Sequence, residues 1–170
     1  MMTHFLFLLR HAKSDWQTDA ATDFERPLSE RGFRDAQKMA DWLIQQTDVP
    51  ATIVSSPAMR AYQTALVFAH AMNIQPGDVS FDKRIYEASA HHVLEIIKHF
   101  PETEKSILLV GHNPGFDALL QMLCKKAEPR DDGKLMTTAA IARICVAGSW
   151  REISNNSCVL NGLSRPKELR

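Results

Sequence analysis

Arg10, His11, Arg60 and His112 are side chains whose types and placement suit the handling of a phosphate-like dianion. A guanidinium presents a fixed fork of donors that matches phosphate oxygens and stays charged at any physiological pH. An imidazole titrates near about 6.5, so it serves as a nucleophile when neutral and as a donor when charged. Each of these residues follows a short apolar run. His4–Arg10 opens into Arg10-His11-Ala12-Lys13-Ser14, Thr52–Ser56 into Pro57-Ala58-Met59-Arg60, and Ser106–Val110 into Gly111-His112-Asn113-Pro114-Gly115. Taken singly, an arginine at a strand end is ordinarily a solvated edge residue and a histidine a satisfied structural one. Their coincidence at three successive runs points to an anion site, without saying what happens to the anion.

The elements that must position these residues alternate in period. The apolar runs read as strands buried on both faces. Ser29–Gln46 reads as a helix with Ser29 as N-cap and Phe33, Ala36, Ala40, Leu43 and Ile44 inward. Pro57–Met72 reads as a second, with Pro57 in the first helical position and Ala61, Ala65, Phe68, Ala69 and Met72 inward. Ser89–Phe100 stripes Val93, Ile96, Ile97 and Phe100, and Pro114–Lys125 stripes Phe116, Leu119, Leu120 and Leu123. In the tail, Ala139–Ala147 reads as a strand, Gly148-Ser149 as a turn and Trp150–Ile153 as the partner strand. The fold predicted is a three-layer α/β/α sandwich with a mostly parallel central sheet and a C-terminal β-hairpin, in one domain spanning 1–170. Ligands of such sheets bind beyond the carboxyl ends of the strands, where the four residues above collect.

With these residues in place, the sequence resembles the histidine phosphatase superfamily, also called phosphoglycerate-mutase-like. Arg10-His11-Ala12-Lys13-Ser14 resembles its R-H-G-x-T signature. Ser55-Ser56-Pro57-Ala58-Met59-Arg60-Ala61-Tyr62-Gln63-Thr64-Ala65 matches its second block, and Gly111-His112-Asn113-Pro114 its third. Pro27-Leu28-Ser29-Glu30-Arg31-Gly32 resembles the family's lead-in to the first helix. The short length and the opening Leu8-Leu9-Arg10-His11 are most similar to the small phosphohistidine phosphatases of the SixA type. The resemblance implies that His11 is the nucleophile, that Arg10, Arg60 and His112 hold the phosphoryl oxygens, and that Ser14 donates a further hydrogen bond. It also implies that the chemistry needs no metal or other cofactor. The family places an acid before its third strand. Glu87 fits that location, with a first-turn helix acid as its structural reading and Asp15 as its competitor. Two departures stand out: Ala12 replaces the family's glycine, and Gln17 stands where many relatives carry asparagine at the phosphate.

The composition narrows the remaining classes. Lys+Arg is 20 and Asp+Glu is 20, a balance that argues against a dedicated nucleic-acid binder. The three cysteines are widely spaced and no His/Cys/carboxylate group has metal-site spacing, which fits reduced thiols and a cytoplasmic protein. The apolar run Phe5 to Leu9 is too short for a signal-peptide core or a membrane span. The mixed-charge stretch from Lys125 to Asp132 reads as a solvated loop, with Lys134, Thr137 and Thr138 bordering the pocket if it folds over. Only Arg84–Pro101 and Lys125–Thr138 are available as a lid, so an open pocket is expected, which suits mutase chemistry poorly. The expected substrate is a phosphorylated protein carrying phosphohistidine. A small phosphomonoester is the alternative, and a non-catalytic phosphate-binding interaction module the rival class. Oligomeric state is not legible.

Overall fold

The structure is a computed structural model describing residues 2–170. Its sheet has the strand order β3-β2-β4-β1-β5-β6. Strands β1 (Thr3–Arg10), β2 (Thr52–Ser55), β3 (Ser80–Phe81) and β4 (Ser106–Gly111) pair in parallel. Strand β5 (Ile141–Ala147) runs antiparallel to β1, and β6 (Cys158–Ser164) antiparallel to β5. The apolar runs are continuous because both faces of the sheet are covered. Leu6 and Leu8 face a core closed by α3 (Ala90–Lys98) and α4 (Gly115–Leu123). Phe7 and Leu9 face a second core closed by α1 (Glu30–Leu43) and α2 (Met59–Ala71). The three-layer architecture, the mostly parallel sheet and the terminal hairpin are therefore all present.

The hairpin's second arm is not the one expected. Trp150–Ile153 forms no strand: Trp150–Glu152 is a 3₁₀ turn, and β5 pairs with Cys158–Ser164 instead. The turn is fixed by a reciprocal cap between Ser149 and Glu152. Trp150 is fully buried, and its indole N–H donates to the Glu104 carbonyl at 2.9 Å. Core filling thus takes a residue whose type had suggested a strand.

The helices differ from expectation by fractions of a turn. Pro57 lies outside α2, because Ala58 keeps an extended backbone and its N–H donates to Ser56 Oγ at 3.3 Å. Met72 is only partly buried, while Arg60 and Thr64 occupy the inward face of α2. On α1, Phe33 and Ile44 are exposed and Gly32 and Met39 are buried. Gly32 sets this rotation: it packs directly on the Lys13 carbonyl oxygen, where any methyl would collide. Ser29 caps α1 as expected, accepting from the Gly32 N–H at 3.1 Å. Its own N–H and hydroxyl both donate to the Lys13 carbonyl, at 2.9 and 3.1 Å. The start of α1 is thereby fastened to the loop that follows β1. Among the described residues no helix is long and apolar enough to cross a membrane.

Candidate active site

Strand adjacency assembles the site. Arg10 of β1 lies opposite Gly111 of β4, so the next residues, His11 and His112, come side by side with ring centroids 5.2 Å apart. β2 lies on the other side of β4 and leads through Ser56 into α2, whose first turn carries Arg60. The four residues expected to converge therefore do so, at the carboxyl ends of the parallel strands.

His11 is held from both sides. Its Nδ1–H donates to the Ala12 carbonyl at 2.7 Å, and its Nε2 accepts from Arg60 Nε at 3.3 Å. A guanidinium cannot accept, so this pair of bonds defines a neutral ring with its lone pair on Nε2. The ring is 8% exposed, and burial pushes its pKa down to about 3. The charges of His112, Arg60 and Arg10 push the same way, against the Ala12 hydrogen bond. His112 is brought down to about 4 by burial and by Arg60, with Asp23 opposing. The adjoining backbone is pinned as well. The Ala12 N–H donates to Thr64 Oγ1 at 3.1 Å, and that hydroxyl donates to the Arg60 carbonyl at 2.6 Å. Ala12 is not among the residues with left-handed backbone, so the turn does not require glycine there. Ala139 does adopt that conformation, and its N–H is shared between the carbonyls of Arg10 and His11, at 3.0 and 3.2 Å.

The two arginines differ in what holds them. Arg10 donates from Nη1 to the Met136 carbonyl at 2.9 Å. Its Nε and His112 Nδ1 are the buried side-chain nitrogens that lack a hydrogen-bond partner among the described residues. An unpaired buried group costs about 1–3 kcal/mol, and such groups recur where a ligand completes the network. Arg60 is instead engaged by Asp23, donating to its carbonyl at 2.8 Å and to its carboxylate at 3.0 Å. The same carboxylate accepts from Tyr86 Oη at 2.8 Å and from Arg26 Nη2 at 2.9 Å. Burial opposes ionisation of Asp23, but the hydrogen bonds from Tyr86 and Arg26 and the Arg60 charge prevail and hold it at about 2. Sequence reasoning missed Asp23, Arg26 and Tyr86. The one available signal was Asp23 three residues before Arg26, ahead of Pro27-Leu28-Ser29.

The remaining candidates separate. Glu87 lines a cleft of about 640 Å³ together with Asp23, Arg60, Tyr86 and His112. It precedes α3 by a left-handed backbone position (φ 54°), so it is not a first-turn helix acid. Asp15 is turned to its own loop, where it accepts the Gln17 N–H at 2.8 Å. Gln17 is exposed and has no side-chain bond to the cluster among the described residues. Ser14 is buried and accepts from Arg26 Nη1 at 2.8 Å. Lys134, Thr137 and Thr138 border a second cleft of about 390 Å³, which Arg10 also lines. Among the described residues no cluster of three or more His, Cys, Asp or Glu could hold a metal.

Two buried neutral histidines tie stability to pH. Their pKa values lie near 3 and 4 in the fold against 6.5 when exposed, so between these values the unfolded chain binds more protons. Stability is then lost as pH falls from 6.5 toward 4, by up to about 1.4 kcal/mol per pH unit for each histidine. Urea midpoints measured across that window should fall for the wild type and fall less steeply for His11→Ala with His112→Ala. An equal slope in both proteins would contradict the burial argument.

Comparison with known proteins places this geometry. The family model "Histidine phosphatase superfamily (branch 1)" matches residues 6–98, a span that holds His11, Asp23, Arg60 and Glu87. An uncharacterized protein of Mycobacterium tuberculosis is 30% identical over 164 residues, covering 94% of this chain and all of its own. Phosphohistidine phosphatase SixA of Escherichia coli is 28% identical over 150 residues, covering 82% of this chain and 83% of its own. The structure of the protein histidine phosphatase SixA complexed with tungstate superposes with a TM-score of 0.80 at 24% identity, over 98% of this chain and 99% of that one. A mycobacterial glucosyl-3-phosphoglycerate phosphatase superposes at 0.66 and 18% identity, over 94% and 98% of the two chains. The chain carrying Arg10-His11 and its partners belongs to the histidine phosphatase superfamily, and it is a phosphatase.

Proposed function

We propose that this phosphatase works through a covalent phosphohistidine on His11, without a metal, and that its preferred substrate is protein phosphohistidine. The observation that carries the reading is the fixed neutral tautomer of His11, whose Nδ1–H is committed to Ala12 and whose Nε2 lone pair lies beside Arg60. Nε2 attacks phosphorus, and a nitrogen–phosphorus bond forms as the bond to the substrate's nitrogen or oxygen breaks. Arg10, Arg60 and His112 take the phosphoryl oxygens. Ser56 Oγ lies 2.8 Å from His112 Nε2; in this reading the hydroxyl donates there, and the ring proton sits on the unpartnered Nδ1, ready to donate to a phosphoryl oxygen. Such fixed donors supply most of what phosphoryl transfer asks of a protein.

Glu87 is the proton donor in this reading, because it lines the cleft beside Arg60 and His112 while Asp15 does not. It protonates the leaving atom, then takes a proton from the water that cleaves the phosphohistidine, giving phosphate and free His11. Asp23 is too acidic to donate at neutral pH and acts as the counter-ion of Arg60 until a phosphoryl group replaces it. Of the two residues given phosphate contacts by the resemblance, Ser14 supports Arg26, and Gln17 is exposed in the loop and has no part in this reading.

The choice of protein phosphohistidine draws on the similarity to phosphohistidine phosphatase SixA and on the exposed rim at Glu87, which a side chain on a protein surface can reach. Small phosphomonoesters form the second substrate class. A single domain over residues 1–170 and a cytoplasmic setting complete the proposal, the latter on the three free cysteines.

Phosphate release from a phosphohistidine protein and from p-nitrophenyl phosphate, in excess chelator, tests the nucleophile. Wild type should release phosphate from both and His11→Ala from neither; activity surviving in the variant would assign the chemistry elsewhere. Glu87→Gln should lower kcat about 100-fold on an alkyl phosphate and far less on phosphohistidine, whose leaving group needs less help. Equal losses on both substrates would count against its role. Asp23→Asn should lower KM for p-nitrophenyl phosphate and strengthen inhibition by inorganic phosphate, each by about tenfold, with kcat nearly unchanged. A large fall in kcat at constant KM would place Asp23 in the chemical step.

A further inference from the structure

The cleft on the Arg10 side of the cluster has a composition unlike the rest of the chain. Arg10, Lys13, Arg31, Lys134 and Lys167 line it, against Asp35 alone. The whole sequence balances Lys+Arg 20 against Asp+Glu 20, so this local excess of cations is offset by acids elsewhere. Arg31 pairs with Asp35 at 3.4 Å. Among the described residues Lys13, Lys134 and Lys167 have no ion pair, and all are exposed. The cations come from separate parts of the chain: the loop after β1, the first turn of α1, the segment before β5 and the C-terminal turn. That segment is held in place by its neighbours. Asn113 Nδ2 and Arg10 Nη1 both donate to the Met136 carbonyl, and the Met136 N–H donates to Asp117. Arg165 fastens the same loop to the C-terminal turn through the Leu135 carbonyl and Asp132.

We propose that this cleft docks an acidic surface of the phosphoprotein substrate, next to the phosphohistidine that enters beside His11. The inference rests on the phosphohistidine reading and adds a specificity element to it. A small polyphosphate calls for convergent, enclosed donors such as backbone amides or paired guanidinium forks. Exposed lysines on flexible stems instead match carboxylates spread over a protein face, where complementary charge steers encounter and fixes orientation. Arg10 belongs to both the cleft and the reaction centre, so a substrate docked here is in register with the phosphoryl site.

The test uses two synthetic phosphohistidine peptides, one flanked by Asp and Glu and the other by Asn and Gln at the same positions. Their kcat/KM is compared with that of p-nitrophenyl phosphate in wild type and in Lys134→Glu with Lys167→Glu. Wild type should prefer the acidic peptide by about tenfold at low salt, the preference should fade as salt rises, and the double variant should abolish or reverse it. Turnover of p-nitrophenyl phosphate should stay unchanged in the variant, which shows that the fold and the reaction centre are intact. Equal rates on the two peptides in wild type overturn the docking proposal and leave the phosphohistidine reading standing. Hydrolysis of p-nitrophenyl phosphate with neither peptide turned over overturns both. Inhibition by inorganic pyrophosphate that weakens in the variant, with no peptide preference, would assign the cleft to a small polyanion instead.

Discussion

Two arginines and two histidines buried together at one edge of a sheet would repel one another if all were charged. At 4 Å two like charges oppose each other by about 4 kcal/mol at an effective dielectric near 20. Much of the surrounding structure answers this. Both histidines are driven neutral by burial and by the arginines. Arg10 spends a donor on a backbone carbonyl, and Arg60 pairs with the Asp23 carboxylate. Neutralising His11 leaves its Nε2 lone pair unprotonated beside Arg60, so the same electrostatics that makes the cluster tolerable also sets the protonation state that the proposed mechanism needs. A carboxylate placed permanently inside the cluster would relieve the repulsion more fully, but it would hold the ground that a phosphoryl group must occupy. Asp23 avoids this by sitting at the mouth, half exposed, on a short turn.

The scaffold's task is then to keep a few backbone groups in place. The Ala12 carbonyl fixes the tautomer of His11, and Thr64 fixes Ala12 while also gripping the backbone of Arg60. One threonine thereby links the turn that carries His11 to the first turn of α2. Ala139, strained into a left-handed conformation, closes the other side by hydrogen bonding the carbonyls of Arg10 and His11. Gly32 and Ser29 pack α1 onto the Lys13 carbonyl, which stops the loop from drifting outward. These are short, directional contacts from separate elements, and together they hold the His11 ring at a strand end with little freedom.

Strands β1, β2, β4 and β5 and the convergence of the site's four principal residues were legible because their signals are local, whereas the two-residue β3 and the partner strand β6 were not. A continuous apolar run names a buried strand, and the motif blocks sit immediately after the runs. The failures share a different cause. Phe33 and Ile44 fit the apolar period of α1, yet Gly32 dictates the facing, and its contact is a carbonyl at Lys13 that no periodicity reveals. Trp150 reads as a strand residue but fills the core beneath Glu102 and Glu104. Asp23 meets Arg60 across 37 positions of sequence and Tyr86 across 63. Such pairings depend on how finished elements meet, which residue types and spacing do not encode. Glu87 falls between the cases: its position in the chain put it near the site, while its left-handed backbone, which places it ahead of α3, had no signal.

The layout of charge around the cluster is asymmetric, and this bears on orientation. On one flank stand carboxylates, Asp23 and Glu87, with Tyr86. On the other stand the lysines and Arg31. A substrate with an anionic body and a phosphoryl group meets a field that repels it from the first flank and attracts it to the second. On the proposed mechanism, binding from the basic side would bring the phosphoryl group past Arg10 toward His11, with Glu87 on the opposite, acidic flank to protonate the leaving atom. A small phosphomonoester does not extend to the exposed lysines and is oriented by the arginines of the cluster alone. Under the docking proposal the asymmetry favours a substrate large enough to touch both the cleft and the cluster, as a phosphorylated protein would be.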